Sequence, residues 1–222
     1  MKILLCDDHR LMRDGLKAIL ERAGLEVVGE AENGRQSVDL ALELRPDVVV
    51  MDISMPELNG IDATRQLVER WPGARVLGLS MNSDHRYVMA MFGAGAVGYL
   101  LKNSASEELL QAVQAVVANL KYVSPSIAGS FIDGYLAQAA PEQHASNPTA
   151  VPSSGSRGLS PREREVLQLL AEGKSSKDIA NRLSIAATTV ESHRRQIMDK
   201  LALRSIAELT KYAVREGLTP LG

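Results

Sequence analysis

The 222-residue sequence lacks the features of secreted, membrane-spanning and fibrous proteins. Its only cysteine, Cys6, has no partner for an internal disulfide, which favours a reducing compartment. The apolar run before Asp7 is shorter than a signal-peptide core, and the longest uncharged stretch, Tyr87 to Leu101, is too short to cross a bilayer. Glycine and proline are too scarce for a collagenous or disordered chain. We therefore predict a folded, cytoplasmic protein without a membrane segment.

The charge is distributed unevenly along a chain whose length suits one large or two small domains. Residues 1–158 hold 14 Lys and Arg against 19 Asp and Glu, whereas residues 159–222 hold 11 against 8. The C-terminal part is therefore mildly basic, which indicates an anionic partner for it.

Short apolar runs alternate with segments of helical periodicity over the first 120 residues. The run from Val48 to Met51 is apolar without alternation, as expected of a central parallel strand covered on both faces. We predict an α/β domain with a doubly wound, five-stranded parallel sheet. Its strands are Ile3–Cys6, Leu25–Val28, Val48–Met51, Val76–Leu79 and Val97–Leu101, and its helices lie near 9–23, 33–44, 58–70, 84–93 and 105–119. The predicted core face of the first helix contains Leu11, Gly15, Ala18 and Ile19.

The rest of the chain predicts a linker and a second, smaller, all-α domain. Residues 137–158 contain three Pro, four Ser, two Gly and one large aliphatic residue, a composition typical of a flexible linker. Four helices are predicted near 161–172, 176–183, 187–201 and 205–216. The predicted organisation is an N-terminal domain over 1–120, a connecting helix and flexible linker over 121–158, and a helical domain over 159–222.

Polar side chains follow four of the five predicted strands: Asp7 and Asp8, then Asp52, Ser80 and Lys102. The carboxyl ends of parallel strands share one edge, which is where open α/β sheets bind ligands. Clustered carboxylates repel one another and need a cation, and Mg²⁺ with phosphate oxygens in its octahedron suits such a donor set. Taken singly, each residue has a simpler interpretation. The aspartates and the serine are typical helix N-caps, and the lysine is typical of a solvated strand end.

The same residues carry a resemblance to a known family. The segments LCDDH at 5–9, MDISMPELNG at 51–60, LSM at 79–81 and GYLLK at 98–102 resemble the CheY-like receiver domains of two-component response regulators. The resemblance implies that Asp52 accepts a phosphoryl group from a sensor histidine kinase. It further implies that Mg²⁺ is held by Asp7, Asp8, Asp52 and the backbone carbonyl of Ser54. Ser80 and Lys102 would each contact a phosphoryl oxygen. Tyr99 would be the switch aromatic, in a moving surface over residues 82–104.

The helical part carries a second resemblance. A short turn between its middle helices suggests a helix-turn-helix. The segments LSPREREVL at 159–167, DIA at 178–180 and TVESHR at 189–194 resemble the LuxR-type helix-turn-helix of the NarL/FixJ family. The alternative is a small helical bundle with solvated charges. The resemblance implies double-stranded DNA as a partner and a dimer face on the last helix through Ile206, Leu209 and Ala213, with packing inside the domain as the alternative for these three.

Helical geometry sorts the side chains that meet DNA. On the third helix of this domain, Val190, Ile197 and Leu201 share a face that is predicted to pack inward. The opposite side holds the candidates for reading base edges, with Arg195 suited to guanine and Glu191 to cytosine; the set is Thr188, Glu191, Ser192, Arg195 and Asp199. The predicted phosphate contacts are Lys174, Lys177 and Arg194. A net charge of only +3 means that two copies are needed for tight binding.

These patterns predict a transcription regulator in which phosphorylation of Asp52 releases or dimerises the helix-turn-helix. The homodimer then binds paired half-sites, and the receiver catalyses only its own phosphorylation and dephosphorylation. One alternative is a Mg²⁺-dependent aspartyl-phosphate phosphatase. Such enzymes carry an Asp-x-Asp motif directly after the first strand, whereas here the adjacent pair Asp7 and Asp8 precedes a separate nucleophile on the third strand. The other is a phosphorylation-independent DNA binder with a vestigial receiver, although the full set of site residues is present.

Overall fold

The computed structural model describes residues 1–129 and 158–219. The first range forms a parallel sheet with helices on both faces. Its elements are β1 (Lys2–Cys6), α1 (Arg10–Arg22), β2 (Glu26–Ala31), α2 (Gly34–Leu44), β3 (Val48–Asp52), α3 (Gly60–Arg70), β4 (Val76–Ser80), α4 (His85–Gly93), β5 (Gly98–Leu101), α5 (Ser106–Val117) and β6 (Tyr122–Val123). The strand order in the sheet is β2-β1-β3-β4-β5-β6. The predicted α/β fold class is confirmed.

The sheet has a sixth strand that the sequence did not predict. Tyr122 and Val123 pair in parallel with β5, residues 125–129 are helical, and Ile127 is buried in the core of the domain. Two residues are too few to show the alternating pattern by which strands are recognised. The packed unit therefore continues beyond residue 120, and the predicted linker at 137–158 lies outside the described residues except for Gly158.

The orientation of α1 differs from the prediction. The buried residues are Arg13, Leu16 and Leu20, whereas Leu11 is 86% exposed and Gly15 and Ala18 are exposed. Of the predicted core face, only Ile19 packs partly against the core. The predicted face is wrong because the buried face of α1 includes Arg13, whose guanidinium is neutralised by Glu30 and Glu32.

The second range is helical, as predicted, and forms its own apolar core. Its elements are α6 (Pro161–Ala171), α7 (Ser176–Leu183), α8 (Ala187–Leu201) and α9 (Ile206–Arg215). Ser160 and Glu163 form a capping box at the start of α6, and Ser175 and Asp178 form one at the start of α7. Ala186, at the start of α8, provides no side-chain cap. Among the described residues, no helix is long and apolar enough to span a membrane.

Candidate functional site

The parallel register brings the predicted site residues to one edge of the sheet. Asp52 and Ser80 are the last residues of β3 and β4, and Asp7 and Lys102 directly follow β1 and β5. Asp52 is 1% exposed, and Asp7, Ser80 and the Lys102 side chain are also buried. Asp8 is more open to solvent, with its side chain partly exposed.

Lys102 lies between two buried carboxylates. Its Nζ is 2.7 Å from Asp7 Oδ2 and 2.8 Å from Asp52 Oδ2, so the ammonium is ion-paired with both carboxylates. Burial raises the pKa of Asp52, and nearby Asp7 adds to this against the opposing effect of Lys102. Burial alone would lower the pKa of Lys102, but Asp52 and Asp7 outweigh it and raise the pKa. One ammonium therefore serves two carboxylates, which leaves excess negative charge at the site.

The donor set fits Mg²⁺. Ligand atoms of Asp7, Asp8, His9 and Asp52 all lie within 4.8 Å of one another. Asp7 Oδ2 and Asp52 Oδ2 are buried and share a single ammonium, and carboxylate oxygens are hard donors of the kind that Mg²⁺ prefers. Ser54 N donates to Asp52 Oδ1 over 3.1 Å, so the Ser54 backbone lies beside the same carboxylate.

His9 is a neighbour of the site that was not among the predicted residues. Its Nδ1 is 2.7 Å from Asp8 Oδ1, and the imidazole is largely exposed. Its position directly after the acidic pair was the available sequence signal. The structure places it at the rim, where it meets the more exposed of the two adjacent aspartates.

Helix capping does not account for the polar side chains at the strand ends. The N-cap of α1 is His9, without a side-chain cap, and Asp7 Oδ1 accepts a hydrogen bond from His9 N over 2.9 Å. The N-cap of α4 is Asp84, whereas Ser80 Oγ accepts from Asn82 N over 3.0 Å. The side chains of Asp7 and Ser80 instead shape the loops that border the site.

The chain behind Asp52 is packed too closely for a side chain. A Cβ at Gly60, the first residue of α3, would lie 2.0 Å from the carbonyl oxygen of Asp52. The start of α3 therefore rests on the end of β3, which holds the backbone of Asp52 in place. Glycine at position 60 is required by this close approach.

Tyr99 is buried and tied to the loop after Ser80. Its hydroxyl donates to the carbonyl oxygen of Asn82 over 2.7 Å. Burial raises the pKa of Tyr99 to about 12. The aromatic side chain therefore points into the domain and contacts the β4–α4 loop in this state.

A cavity of about 480 Å³ opens over the strand ends, and both domains line it. The N-terminal domain contributes Asp52, Ser80 and Lys102, and the turn after α9 contributes Gly217 and Thr219. Gly217 has φ +71° and packs closely on the α4 residue Tyr87. A Cβ at this position would lie 2.3 Å from the Tyr87 hydroxyl, so only glycine fits here. The end of the helical domain thus forms one wall of the cavity.

The helical domain also holds the loop that follows Asp52. Gln168 of α6 is fully buried; its Oε1 accepts from Asn59 N over 2.8 Å and its Nε2 donates to Met55 O over 3.0 Å. Glu172 Oε1 accepts from Glu57 N over 3.0 Å. Ion pairs surround this contact: Arg164 with Asp62, Arg35 with Glu165, and Arg182 with Glu57. We call the Gln168 and Glu172 contacts with residues 55–59 the α6 clamp.

The side of α8 that was predicted to read bases is open to solvent. Thr188, Ser192 and Arg195 are exposed, while Val190 and Ile197 pack inside as predicted. The remaining predicted DNA contacts differ in exposure: Glu191, Lys177 and Asp199 are exposed, and Lys174 and Arg194 are half-buried. Glu191 contacts Ser176 and Arg194, so its carboxylate is already engaged.

The last helix offers less of a dimer face than the sequence suggested. Leu209 and Ala213 lie in the core of their own domain, so the alternative of internal packing holds for these two. Ile206 is 44% exposed and is the one member of the predicted face that presents an apolar surface.

Comparison with known proteins covers both domains. Residues 3–114 match the response regulator receiver domain, and residues 157–213 match the bacterial regulatory proteins of the luxR family. The oxygen regulatory protein NreC of Staphylococcus epidermidis is 38% identical over 220 residues, which covers 98% of this chain and 99% of that protein. The transcriptional regulatory protein MctR of Rhizobium johnstonii is 35% identical over 219 residues, 98% of this chain and 95% of its own.

A solved structure resembles the whole chain. RcsB from Salmonella enterica serovar Typhimurium, bound to promoter rprA in the presence of phosphomimetic BeF₃⁻, has a TM-score of 0.58 and 26% sequence identity. The match covers 96% of this chain and 97% of that one.

Proposed function

Because the chain belongs to the two-component response regulators that join a receiver domain to a LuxR-type DNA-binding domain, we propose that phosphorylation of Asp52 controls its binding to DNA. The phosphodonor is a sensor histidine kinase, and the active form is a homodimer on double-stranded DNA in the cytoplasm. The proposed DNA-binding domain spans 159–222. The proposed receiver, predicted at 1–120, includes β6 and the buried Ile127, so the connecting segment predicted at 121–158 begins after Ile127. The observation that carries it is the buried cluster of Asp7, Asp52 and Lys102 under a cavity shared with the DNA-binding domain.

The chemistry follows from the charges at the site. A carboxylate oxygen of Asp52 attacks the phosphorus, the bond from phosphorus to the donor's imidazole nitrogen breaks, and the imidazole leaves. Lys102, whose pKa is raised, stays charged and pairs with a phosphoryl oxygen, while the Ser80 hydroxyl donates to another. When bound, Mg²⁺ would neutralise phosphoryl charge and be held by Asp7, Asp8, Asp52 and the Ser54 carbonyl. These steps are self-modification of the receiver, not turnover of a free substrate.

Two short routes connect Asp52 to the DNA-binding domain. The first is the loop after β3, whose Met55 carbonyl and Asn59 amide are held by the α6 clamp. The second is the loop after Ser80, where Asn82 contacts Tyr99, and the neighbouring Tyr87 packs against Gly217. A phosphoryl group on Asp52 changes what Ser80 and Lys102 contact, and therefore biases both routes.

The exposure of the α8 face indicates how phosphorylation of the receiver can control DNA binding. Because Thr188, Ser192 and Arg195 are open to solvent while the domains touch, the receiver does not control DNA binding by covering these residues. Domain contact instead fixes how one DNA-binding domain can be placed beside a second copy. Separation after phosphorylation then permits paired binding, which a domain of low net charge requires.

The phosphorylation step is tested by incubating the full chain with acetyl phosphate and Mg²⁺. We expect the intact mass to rise by one phosphoryl group and light scattering on the same sample to shift towards twice the monomer mass. Sustained hydrolysis of a small phosphomonoester would instead indicate the phosphatase. No gain in mass, with DNA binding intact, would indicate the vestigial receiver and contradict the proposal.

The DNA contacts are tested by a matched pair of substitutions in a binding assay on selected and mismatched duplexes. Arg195→Ala removes a side chain suited to a bidentate contact with guanine, so we expect a loss of about 1–3 kcal/mol on the selected duplex and less discrimination at that base. Lys177→Ala is expected to weaken binding evenly and to reduce the salt slope by about 1. An even loss on all duplexes for Arg195→Ala would contradict its role in sequence reading.

A further inference from the structure

Arg13 is a buried arginine whose guanidinium reaches the acidic pair. It lies in α1 and makes three directed contacts. Its Nη1 donates to the carbonyl oxygen of Asp7 over 2.6 Å, its Nε to Glu30 Oε2 over 3.1 Å, and its Nη2 to Glu32 Oε1 over 2.9 Å. The guanidinium therefore joins the end of β2 to the backbone between the two aspartates.

Stability alone is a weak explanation for this arrangement. Burying an ion pair costs desolvation energy, and apolar residues of similar size often serve a fold as well. Lys17, one turn further along α1, also contacts Glu30 over 2.9 Å, yet no contact joins it to Asp7 among the described residues. Arg13 differs from Lys17 in its burial, in its second ion pair, with Glu32, and in the hydrogen bond to the Asp7 carbonyl; only the last reaches the acidic pair.

That carbonyl belongs to the peptide between Asp7 and Asp8. Because a peptide is planar, fixing its oxygen also fixes the direction in which the chain enters Asp8. Asp7 Oδ1 is held separately by His9 N over 2.9 Å. Together, the two hydrogen bonds hold the Asp7 carboxylate and the backbone from which the Asp8 side chain projects.

We propose that Arg13 is a positioning residue for the Mg²⁺ site, acting through the Asp7–Asp8 peptide rather than by contact with the cation. The inference rests on the proposed function, because it assumes that the acidic pair holds Mg²⁺. The charge of Arg13 and its positioning role have opposite effects on the affinity for Mg²⁺. A guanidinium repels a divalent cation, so losing its charge alone would tighten Mg²⁺ binding, whereas losing the fixed peptide weakens it.

The test is calorimetric titration of the full chain with Mg²⁺, without a phosphodonor. We expect Arg13→Gln to bind Mg²⁺ about 10-fold more weakly than the unchanged protein. Lys17→Gln is the matched control, because it removes a cation from Glu30 on the same helix and leaves Asp7 alone; we expect its affinity to be unchanged. Arg13→Lys, which retains the charge but not the planar fork, is expected to weaken binding as well and carries the test if Arg13→Gln does not fold.

Kinetics give a second readout that general loss of stability would not produce. With acetyl phosphate as donor, the Mg²⁺ concentration for half-maximal phosphorylation of the Arg13 variants should rise about 10-fold, while the rate at saturating Mg²⁺ stays near that of the unchanged protein. Equal or tighter Mg²⁺ binding by the Arg13 variants overturns the positioning role. Absence of Mg²⁺ binding by the unchanged protein overturns the proposed function itself, so the two failures are distinct.

Discussion

Asp52→Asn is expected to abolish phosphoryl uptake under conditions in which the unchanged protein gains one phosphoryl group. The amide keeps the shape of the side chain but lacks the nucleophilic carboxylate oxygen. Asp7 is not expected to replace it, because the proposal assigns its carboxylate to Mg²⁺. Intact-mass measurement after incubation with acetyl phosphate and Mg²⁺ reports the result directly.

The control for this variant is Asp39→Asn, the same change at an exposed aspartate of α2. It should take up the phosphoryl group at the normal rate.

Loss of uptake in Asp52→Asn should also occur without loss of fold. Burial raises the pKa of Asp52 in the folded protein, so the charged carboxylate reduces stability once the pH exceeds that pKa. At neutral pH, Asp52→Asn should therefore unfold at a urea concentration equal to or higher than that of the unchanged protein. Phosphoryl uptake by Asp52→Asn at the normal rate would contradict the assignment of Asp52.

Gln168→Leu is expected to increase the DNA affinity of the unphosphorylated protein by about 10-fold or more. The change keeps the size of the side chain but leaves Asn59 N and Met55 O without their partners in the α6 clamp. Each buried polar group without a hydrogen bond costs about 1–3 kcal/mol, and 1.4 kcal/mol corresponds to a factor of ten in the balance between joined and separated domains. Titration of a labelled duplex with unphosphorylated protein measures the effect.

Gln114→Leu is the control for this second variant, since it makes the same change on the exposed side of α5, away from the domain contact. Its DNA affinity should equal that of the unchanged protein. If unphosphorylated Gln168→Leu binds DNA no more tightly than the unchanged protein, the α6 clamp does not restrain DNA binding.

The site was predictable because its signals are local. Apolar runs mark the strands, and Asp52, Ser80 and Lys102 are the polar residues that end them or follow them. In a parallel sheet, these ends meet without further information about packing. The inward face of α8 was also predictable, because Val190 and Ile197 repeat with helical periodicity.

What the sequence did not reveal depends on contacts between distant residues. Gln168 and Asn59 are 109 residues apart, and only a glutamine within the aliphatic run from Val166 to Leu170 hinted that α6 meets a polar partner. The burial of Arg13 was not predicted, because its glutamate partners lie in β2 and directly after it, 17 and 19 residues along the chain. For Leu209 the sequence left a dimer face and internal packing both open, and the other helices of its own domain cover it.

The most direct test of phosphorylation-controlled DNA binding is the affinity for one selected duplex of the unchanged protein and of Asp52→Asn, each before and after treatment with acetyl phosphate and Mg²⁺. Treatment should strengthen binding by the unchanged protein about 10-fold or more and leave that of the variant unchanged, in keeping with typical coupling between two sites. Equal affinities in all four samples, or an equal gain in both proteins, would contradict control through Asp52.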